Sequence, residues 1–225
     1  MVPTVVERQH RVWVVEHPGA CHELGILRSV TTGRAEFRMA AERLGTYLAV
    51  AATSWLAVEP VEVRTPLCQA VAYRRKQPLV IVPILRAGML LLPAFLRLFP
   101  EARIGYLGLR RNEATLQPEL YYANLPPLQE GAQFFIVDPM LATGGSMEAA
   151  VEYLHRRGAR EITLVCIIAA PEGIARLRQR YPDLPIITAA IDHGLNEHGF
   201  IVPGLGDAGD RAMGTEENGS PTGRA

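Results

Sequence analysis

The chain lacks the excess charge that would point to a polyanionic partner. Lysine plus arginine and aspartate plus glutamate both number 23 among 225 residues, so the formal net charge is zero. Such a chain has no overall electrostatic attraction to nucleic acid or to an anionic membrane surface. We therefore expect no nucleic-acid partner and no membrane partner, and any phosphate binding must depend on a local arrangement of donors.

Cysteine is scarce, and long uninterrupted apolar stretches are missing. Cys21, Cys68 and Cys166 are far apart and form no CxxC pair, which argues against a disulfide framework or a zinc site. Charged residues near the N-terminus interrupt the apolar region that a signal peptide needs. The most apolar stretch, 80–99, contains two arginines and two prolines, which favours buried core over a membrane span. These features predict a cytoplasmic protein.

From residue 79 onward, short runs of Val, Ile and Leu alternate with helical patterns. This alternation is typical of an α/β fold, in which helices cover both faces of a parallel sheet. Five runs are near-continuously apolar, as strands buried on both faces are. These strand candidates are 79–84, 103–109, 134–138, 162–169 and 186–191. Helical patterns occupy 35–56, 146–159 and 171–182.

The remaining segments suggest one domain, residues 1–215, with additions around the sheet. Residues 61–66 and 67–73 have the pattern of a β-hairpin beside the main sheet. The segment 110–132 shows no sustained period, which indicates a long flexible loop near a functional site. The polar tail, 216–225, has nothing to bury and is expected to be disordered.

The strongest chemical signal is FFIVDPMLATGGS, residues 134–146. An apolar strand runs into Asp138, then into a Thr-Gly-Gly-Ser turn and a helix. Glycines let backbone N–H groups close around an anion, hydroxyls add donors, and the helix N-terminus adds partial positive charge. Asp138 can accept hydrogen bonds from ribose hydroxyls. An ordinary strand-turn-helix connection is the competing interpretation; a Walker A loop is excluded because no lysine follows the glycines.

Two further patterns resemble known binding motifs, one for dinucleotides and one for zinc, but their sequence context supports neither. GLGDAG, 204–209, matches the dinucleotide fingerprint, but too little chain follows it for the required helix and acidic residue. His193, Glu197 and His198 have one residue too many for an HxxEH zinc motif, and Gly194 disfavours the necessary helix. Both segments are therefore expected to be loops.

Arg86 follows an apolar strand and precedes Ala87 and Gly88. Its side chain would emerge at the carboxyl end of that strand, where open α/β sheets bind ligands. A guanidinium binds phosphate oxygens through its fixed fork of donors. The alternative role, an arginine at a surface turn, is less consistent with its buried flanks.

The 134–146 motif resembles the sugar-phosphate loop of type I phosphoribosyltransferases. Most of those proteins have a second acidic residue directly after the first, whereas this chain has Pro139. A motif with proline at this position resembles that of uracil phosphoribosyltransferases in particular. Further strings resembling that family follow one another in its order over 17–215. They are HPGACHELGILR (17–28), VPILRAG (82–88), the run 108–122, AAPEG (169–173) and GLNEHGFIVPGLGDAGDR (194–211).

The resemblance implies a type I phosphoribosyltransferase fold with a parallel five-stranded core sheet, a hairpin or hood region and a long flexible loop. It also implies that uracil and 5-phosphoribosyl-1-pyrophosphate (PRPP) give UMP and pyrophosphate. Implied PRPP contacts are Arg86, Arg111, Asp138, Pro139, Met140, Leu141, Ala142, Thr143, Gly144, Gly145, Ser146 and Asp207. Implied uracil contacts are Ile201, Gly206, Asp207 and Ala208. The implied catalytic residues are Arg86, Arg111 and Asp207.

The same resemblance implies Mg²⁺ as cofactor, held mainly by PRPP, with Asp207 as its candidate protein ligand. It implies a homodimer or homotetramer and leaves activation by GTP open. Arg110 and Phe200 stand where the family has Tyr, and His193 where it has Gln or Glu. Two alternatives remain: a phosphoribosyltransferase for another base, and an RNA-binding, nucleotide-sensing regulator with the same fold.

Overall fold

The computed structural model describes residues 4–111 and 118–215, without the side chains of Arg111 and Pro118. Its helices are α1 (Pro18–Arg28), α2 (Arg34–Ala52), the 3₁₀ turn η1 (Ala87–Leu90), α3 (Leu92–Leu98), α4 (Gly145–Arg156), α5 (Pro171–Arg180) and α6 (Ala208–Met213). Its strands are β1 (Val5–Gln9), β2 (Val12–Val15), β3 (Val58–Arg64), β4 (Gln69–Arg75), β5 (Leu79–Leu85), β6 (Arg103–Ile104), β7 (Tyr106–Arg111), β8 (Pro118–Asn124), β9 (Gln133–Val137), β10 (Met140–Leu141), β11 (Glu161–Val165), β12 (Ile168–Ala169), β13 (Ile186–Thr188), β14 (Ala190–Ile191), β15 (Gly194–Leu195) and β16 (Ile201–Val202).

The main sheet has the strand order β1-β2-β13-β11-β9-β5-β7-β8, and the short β6 also pairs with β5. Strands β13, β11, β9, β5 and β7 run parallel, as the sequence predicts for this fold class. The sheet extends beyond them: β2 adds in parallel to β13, β1 pairs antiparallel with β2, and β8 pairs antiparallel with β7. The carboxyl ends of the parallel strands therefore lie along one edge of the sheet.

Alternate residues of the central strands face opposite sides of the sheet, which explains their continuous apolar runs. In β9, Phe135 and Val137 lie in one buried cluster, together with residues of α1, α2 and α3. Phe134 and Ile136 lie in the other, together with residues of α4 and α5. Each fully buried side chain of this size stabilises the fold by roughly 1.5 to 3 kcal/mol. The helices on both faces thus fix where β5 and β9 end.

One expectation from the sequence needs correction. The segment 110–132 is not all loop, because β7 continues to Arg111 and β8 occupies Pro118–Asn124. The register of β8 against β7 shifts between Gly108 and Leu109, and this irregularity hides the strand period from sequence inspection. The predicted β-hairpin is confirmed: β3 and β4 pair antiparallel and, in the described chain, form a two-stranded sheet separate from the main sheet.

Within the described ranges, no helix combines the length and the apolar character needed to cross a membrane. The helix expected over 35–56 ends at Ala52, where a turn follows. The tail 216–225 lies outside the described residues, as do residues 112–117.

Candidate active site

The segment 138–146, which we call the phosphate loop, connects β9 to α4 at the carboxyl edge of the sheet. The backbone N–H of Asp138 donates to the Val165 carbonyl at 3.1 Å, and its side chain accepts from the Met140 N–H at 3.3 Å. Gly144 has φ +80° and immediately precedes α4. A left-handed conformation favours glycine because it has no Cβ to collide with the backbone. The strand-turn-helix arrangement that the sequence predicts is therefore present.

The start of α5 supports the phosphate loop through a close backbone contact. A Cβ added at Gly173 would lie 2.3 Å from the Ala142 carbonyl oxygen, and one added at Gly144 would lie 2.9 Å from the Gly173 carbonyl oxygen. No side chain fits between these two segments. The AAPEG string, noticed only by resemblance in the sequence, thus holds the phosphate loop in place.

A cleft of about 670 Å³ opens beside the phosphate loop. Thr143, Gly145 and Ser146 line one side, and Asn196, His198 and Gly199 line the opposite side. Arg176 also lines it, and its Nε donates to Glu148 at 2.6 Å. Hydroxyls and a helix N-terminus suit a phosphate group. Sequence reasoning missed Arg176 and considered His198 only in the rejected zinc pattern, because only the fold brings the two residues to this cleft.

Arg86 lies at the end of β5, as predicted, and its side chain is 58% exposed. The peptide bond between Leu85 and Arg86 is cis. A Cβ on Gly88 would lie 2.4 Å from the Val137 carbonyl oxygen, so this turn presses directly against the end of β9. Arg86 is therefore held close to the phosphate loop, with its guanidinium accessible.

Asp210 approaches Arg86 from α6. The Arg86 guanidinium lies 3.6 Å from the Asp210 carboxylate, and it donates to the Thr215 hydroxyl at 3.4 Å. The Thr215 hydroxyl in turn donates to Asp210 at 2.6 Å. The structure thus makes Asp210 a direct neighbour of Arg86.

The segment 192–208, which we call the base loop, follows the edge strand β14. It folds back on itself through the β15–β16 pair, and the Asn196 side chain accepts from the N–H groups of His198 and Phe200. Asp207 ends the loop and accepts from the Asp210 N–H at 2.8 Å, so it caps α6. The zinc reading of His193, Glu197 and His198 gains no support, because no group of three or more metal-binding side chains occurs among the described residues.

Main-chain groups rather than side chains are what the base loop offers to a ligand. The side chains of Ile201 and Ala208 are buried, at 4% and 2% exposure. Gly206 has φ +75°, a left-handed backbone conformation in which a residue with a Cβ would be strained. A flat base can be read there by backbone N–H and C=O groups.

The two loops bring two carboxylates together. Burial raises the pKa of Asp138 to about 7; a hydrogen bond from the Met140 N–H opposes this shift, and the nearby charge of Asp207 adds to it. The charge of Asp207 is thus close enough to act on Asp138, although the two lie in separate loops. A Cβ on Gly209 would lie 3.7 Å from the Cβ of Ala87, which places the start of α6 beside the Arg86 turn. Arg86, Asp138 and Asp207 are therefore brought together, whereas the side chain of Arg111 lies outside the described residues.

Comparison with known proteins agrees with this geometry. The family model described as uracil phosphoribosyltransferase matches residues 14–215. Uracil phosphoribosyltransferase of Cutibacterium acnes is 49% identical over 210 residues, covering 91% of this chain and 98% of that protein. The protein of the same name from Streptococcus agalactiae is 47% identical over 204 residues, covering 90% and 98%.

Two solved structures bear on the fold. The AQ2163 protein of Aquifex aeolicus is 36% identical, has a TM-score of 0.87, and the match covers 92% of this chain and 100% of that one. Adenine phosphoribosyltransferase of Leishmania donovani is 15% identical, with a TM-score of 0.59 and coverage of 87% and 89%. The second likeness concerns the fold alone, which is that of type I phosphoribosyltransferases.

Proposed function

The chain belongs to the uracil phosphoribosyltransferase family, and we propose that the phosphate loop, the base loop and Arg86 form its catalytic site. The enzyme is a pentosyltransferase of pyrimidine salvage that converts uracil and PRPP to UMP and pyrophosphate. The observation that carries the residue assignment is the close packing of the Arg86 turn against the end of β9, which precedes Asp138, and against the start of α6, which follows Asp207. A sugar between these carboxylates would have the phosphate loop on one side and the base loop on the other.

In this proposal the phosphate loop binds the ribose 5-phosphate end of PRPP. The N–H groups of Thr143, Gly144, Gly145 and Ser146 and the two hydroxyls surround the phosphate, and the N-terminus of α4 contributes partial positive charge. Asp138 accepts hydrogen bonds from the ribose hydroxyls. Residues Pro139, Met140, Leu141 and Ala142 contribute the intervening backbone, which α5 supports through Gly173.

Arg86 binds the pyrophosphate that leaves. Negative charge grows on this group as the bond to the anomeric carbon breaks, and a fixed donor aimed at that charge lowers the barrier. Arg111 is proposed to bind the same group from the end of β7. Asp210 would release Arg86 to the pyrophosphate, since their separation of 3.6 Å makes only a loose ion pair.

The base loop holds uracil with N1 facing the anomeric carbon. Ile201, Gly206 and Ala208 present main-chain groups to the edge of the base, and Asp207 lies between the base and the sugar. No protein nucleophile is needed, because N1 displaces pyrophosphate directly and the bond to C1 forms as the bond to pyrophosphate breaks. The proton lost from N1 is accepted by an oxygen of the departing pyrophosphate. Catalysis then depends on alignment of the two reactants and on stabilisation of the leaving group.

The residues present also fit Mg²⁺. Mg²⁺ is usually held by one or two carboxylates together with substrate phosphates, and Asp207 supplies such a carboxylate beside the sugar. When bound, the ion neutralises charge on the pyrophosphate. We propose that PRPP supplies most of its ligands, because the described chain has no cluster of three or more metal-binding side chains.

Self-association through the β3–β4 hairpin is part of the proposal. Val58, Val71 and Tyr73 are 58%, 65% and 72% exposed and share one face of this hairpin with Pro60. An apolar face that projects from the rest of the chain favours burial against a second copy. Light scattering should give a dimer or tetramer, and a monomer would contradict this part.

Activation by GTP and a cytoplasmic location remain predictions from the sequence. The first is checked by adding GTP to the assay described next. The second is checked by fractionating the cells that express the protein.

The function is tested by measuring UMP formation from uracil, PRPP and Mg²⁺. Arg86→Ala should lower kcat by a factor of about 100 to 1,000, because a single donor to a developing negative charge contributes about 3 to 4 kcal/mol. Arg97→Ala is the matched control, since Arg97 is also largely exposed, at 74% against 58% for Arg86, but lies on α3 and pairs with Glu42. Wild-type turnover by a folded Arg86→Ala enzyme would sink the assignment. Pyrophosphate release with a panel of other bases tests whether uracil is preferred.

A further inference from the structure

We propose that Arg28 and Asp192 are positioning residues that set the selectivity for the base. Neither touches the space between the phosphate loop and the base loop directly. Both act on Gly204, which lies inside the base loop between Ile201 and Gly206. The inference rests on the proposed role of the base loop in holding uracil.

The contact is a bidentate ion pair closed onto one peptide unit. The Arg28 guanidinium donates to both oxygens of the Asp192 carboxylate, at 2.8 and 2.5 Å. The same guanidinium donates to the Gly204 carbonyl at 2.7 Å, and the Gly204 N–H donates to Asp192 at 3.0 Å. Both hydrogen-bonding groups of Gly204 are therefore fixed by side chains, one from the start of the base loop and one from the distant helix α1.

The pair is anchored on both sides. Arg28 is the last residue of α1, which packs against α2. The Asp192 side chain is only 4% exposed, and the backbone N–H of Asp192 donates to the Ala169 carbonyl of β12 at 2.9 Å. Arg28 is itself 26% exposed. A planar guanidinium held at both ends in this way has one orientation, and so does the peptide it contacts.

Gly204 can transmit this position because its surroundings leave it no freedom. Its φ is +65°, and an added Cβ would lie 2.0 Å from the Ile201 carbonyl oxygen. A shift of Gly204 would therefore move the Ile201 carbonyl and the peptides leading to Gly206. Those are the groups proposed to read the base. Displacement of a binding group by about 1 Å can cost 100-fold in rate.

A second ion pair shows what a purely structural role looks like. Arg43 on α2 also binds a buried carboxylate on α1, donating to both oxygens of Glu23 at 2.8 Å. Both pairs are bidentate, Arg43 through Nε and one terminal nitrogen and Arg28 through its two terminal nitrogens, but neither Arg43 nor Glu23 makes a hydrogen bond to the base loop. Loss of either pair leaves a poorly solvated charge, so both should stabilise the fold to a similar degree.

The experiment compares Arg28→Lys and Asp192→Asn with Arg43→Lys and Glu23→Gln. Lysine keeps the charge but cannot span two oxygens and a carbonyl. We expect Arg28→Lys and Asp192→Asn to raise KM for uracil about ten- to 100-fold, with KM for PRPP unchanged. The preference for uracil over cytosine should fall in parallel. The two control variants should lower the melting temperature while leaving both KM values and the preference as in the wild type.

Three results would overturn the positioning role. One is a lower melting temperature with unchanged KM for uracil; another is an equal rise of both KM values. The third is that Arg28→Lys and Asp192→Asn both fail to fold while both control variants fold. The ion pair between Arg28 and Asp192 would then be only a structural contact. Failure of the proposed function is distinct, because the wild-type protein itself would then form no UMP.

Discussion

The phosphate loop and the base loop are held by opposite kinds of contact. The phosphate loop continues directly from β9 into α4, and its main supports are backbone atoms of the neighbouring elements β11 and α5, such as Val165 and Gly173. The base loop has hardly any regular structure, and it is held by side chains, which link it to the distant end of α1. Arg28 reaches Gly204, and Arg211 donates to the carbonyls of Leu205 and Ser29.

This difference indicates that substitutions in the phosphate loop and in the base loop have different consequences. A ligand with fixed charge, such as a phosphate, is bound by elements that any strand-turn-helix unit can provide. Recognition of one base needs main-chain groups at exact places, and these are maintained by contacts that span more than 160 residues. We therefore expect changes in the two loops to separate cleanly in their effects on PRPP and on uracil.

Among changes in the two loops, the largest effect should come from Gly204→Ala. The added Cβ would meet the Ile201 carbonyl oxygen at 2.0 Å, and φ is +65°, so the base loop must move. We expect kcat/KM for uracil to fall on the order of 100-fold while KM for PRPP changes little. Gly131→Ala is the control: φ is +67° there, but nothing lies within 4 Å, so only the backbone strain remains. Equal losses in both variants would refute a special role for the base loop.

Gly144→Ala should give the reciprocal result, with a smaller loss. Its Cβ would lie 2.9 Å from the Gly173 carbonyl oxygen, and the left-handed conformation costs roughly 1 to 2 kcal/mol for alanine. Because the phosphate loop would shift, KM for PRPP should rise about tenfold, corresponding to about 1.4 kcal/mol. Initial rates at varied PRPP and saturating uracil measure this. A selective rise in KM for uracil would break the comparison between the loops.

Asp138→Asn should alter how stability depends on pH. The pKa of Asp138 is raised to about 7, so between about pH 4 and 7 the folded state holds a proton that the unfolded chain releases. The free energy of unfolding of the wild type must therefore fall as pH rises through this window. Asparagine removes this term, so the variant should gain on the wild type by about 2 to 4 kcal/mol between pH 4 and 8.

Urea unfolding at several pH values measures this difference. Asp183→Asn, which changes a carboxylate that is 78% exposed, should track the wild type. A constant gap between Asp138→Asn and the wild type at all pH values would contradict the assignment of the proton to Asp138. The Asp138→Asn variant should also bind PRPP less well, because it loses the carboxylate proposed to accept hydrogen bonds from the ribose hydroxyls. A carboxylate that lowers stability is expected to be retained where it serves function.

Asn196→Ala should have the smallest effect. Its side chain accepts from the N–H groups of His198 and Phe200 at 3.0 and 2.9 Å, but both lie at an exposed turn where water can replace it. We expect a loss of about 1 kcal/mol or less, seen as a slight fall in the melting temperature. A rise in KM for uracil as large as that of Gly204→Ala would mean that the tip of the base loop, and not its anchored end, governs recognition.

The parts of the molecule that could be predicted are those coded by neighbouring residues. The five central strands and helices α4 and α5 follow from apolar period and end signals, and the phosphate loop from one short motif. Strand β8 was missed because its register against β7 is irregular. Arg176, the position of His198 in the cleft, and the pairing of Arg28 with Asp192 were missed because their partners are remote in sequence, and nothing local marks an arginine as the support of a distant glycine.

Asp210 gives Arg86 an anion of its own. With its guanidinium 58% exposed, Arg86 would otherwise attract inorganic phosphate and other small anions that are abundant in any cell. A carboxylate 3.6 Å away offsets that charge without holding it tightly. If Arg86 binds pyrophosphate as proposed, an incoming ligand must displace Asp210, which favours a multiply charged pyrophosphate anchored at its sugar over a small anion bound by Arg86 alone. Asp210 would then help to select the ligand before either substrate is in place.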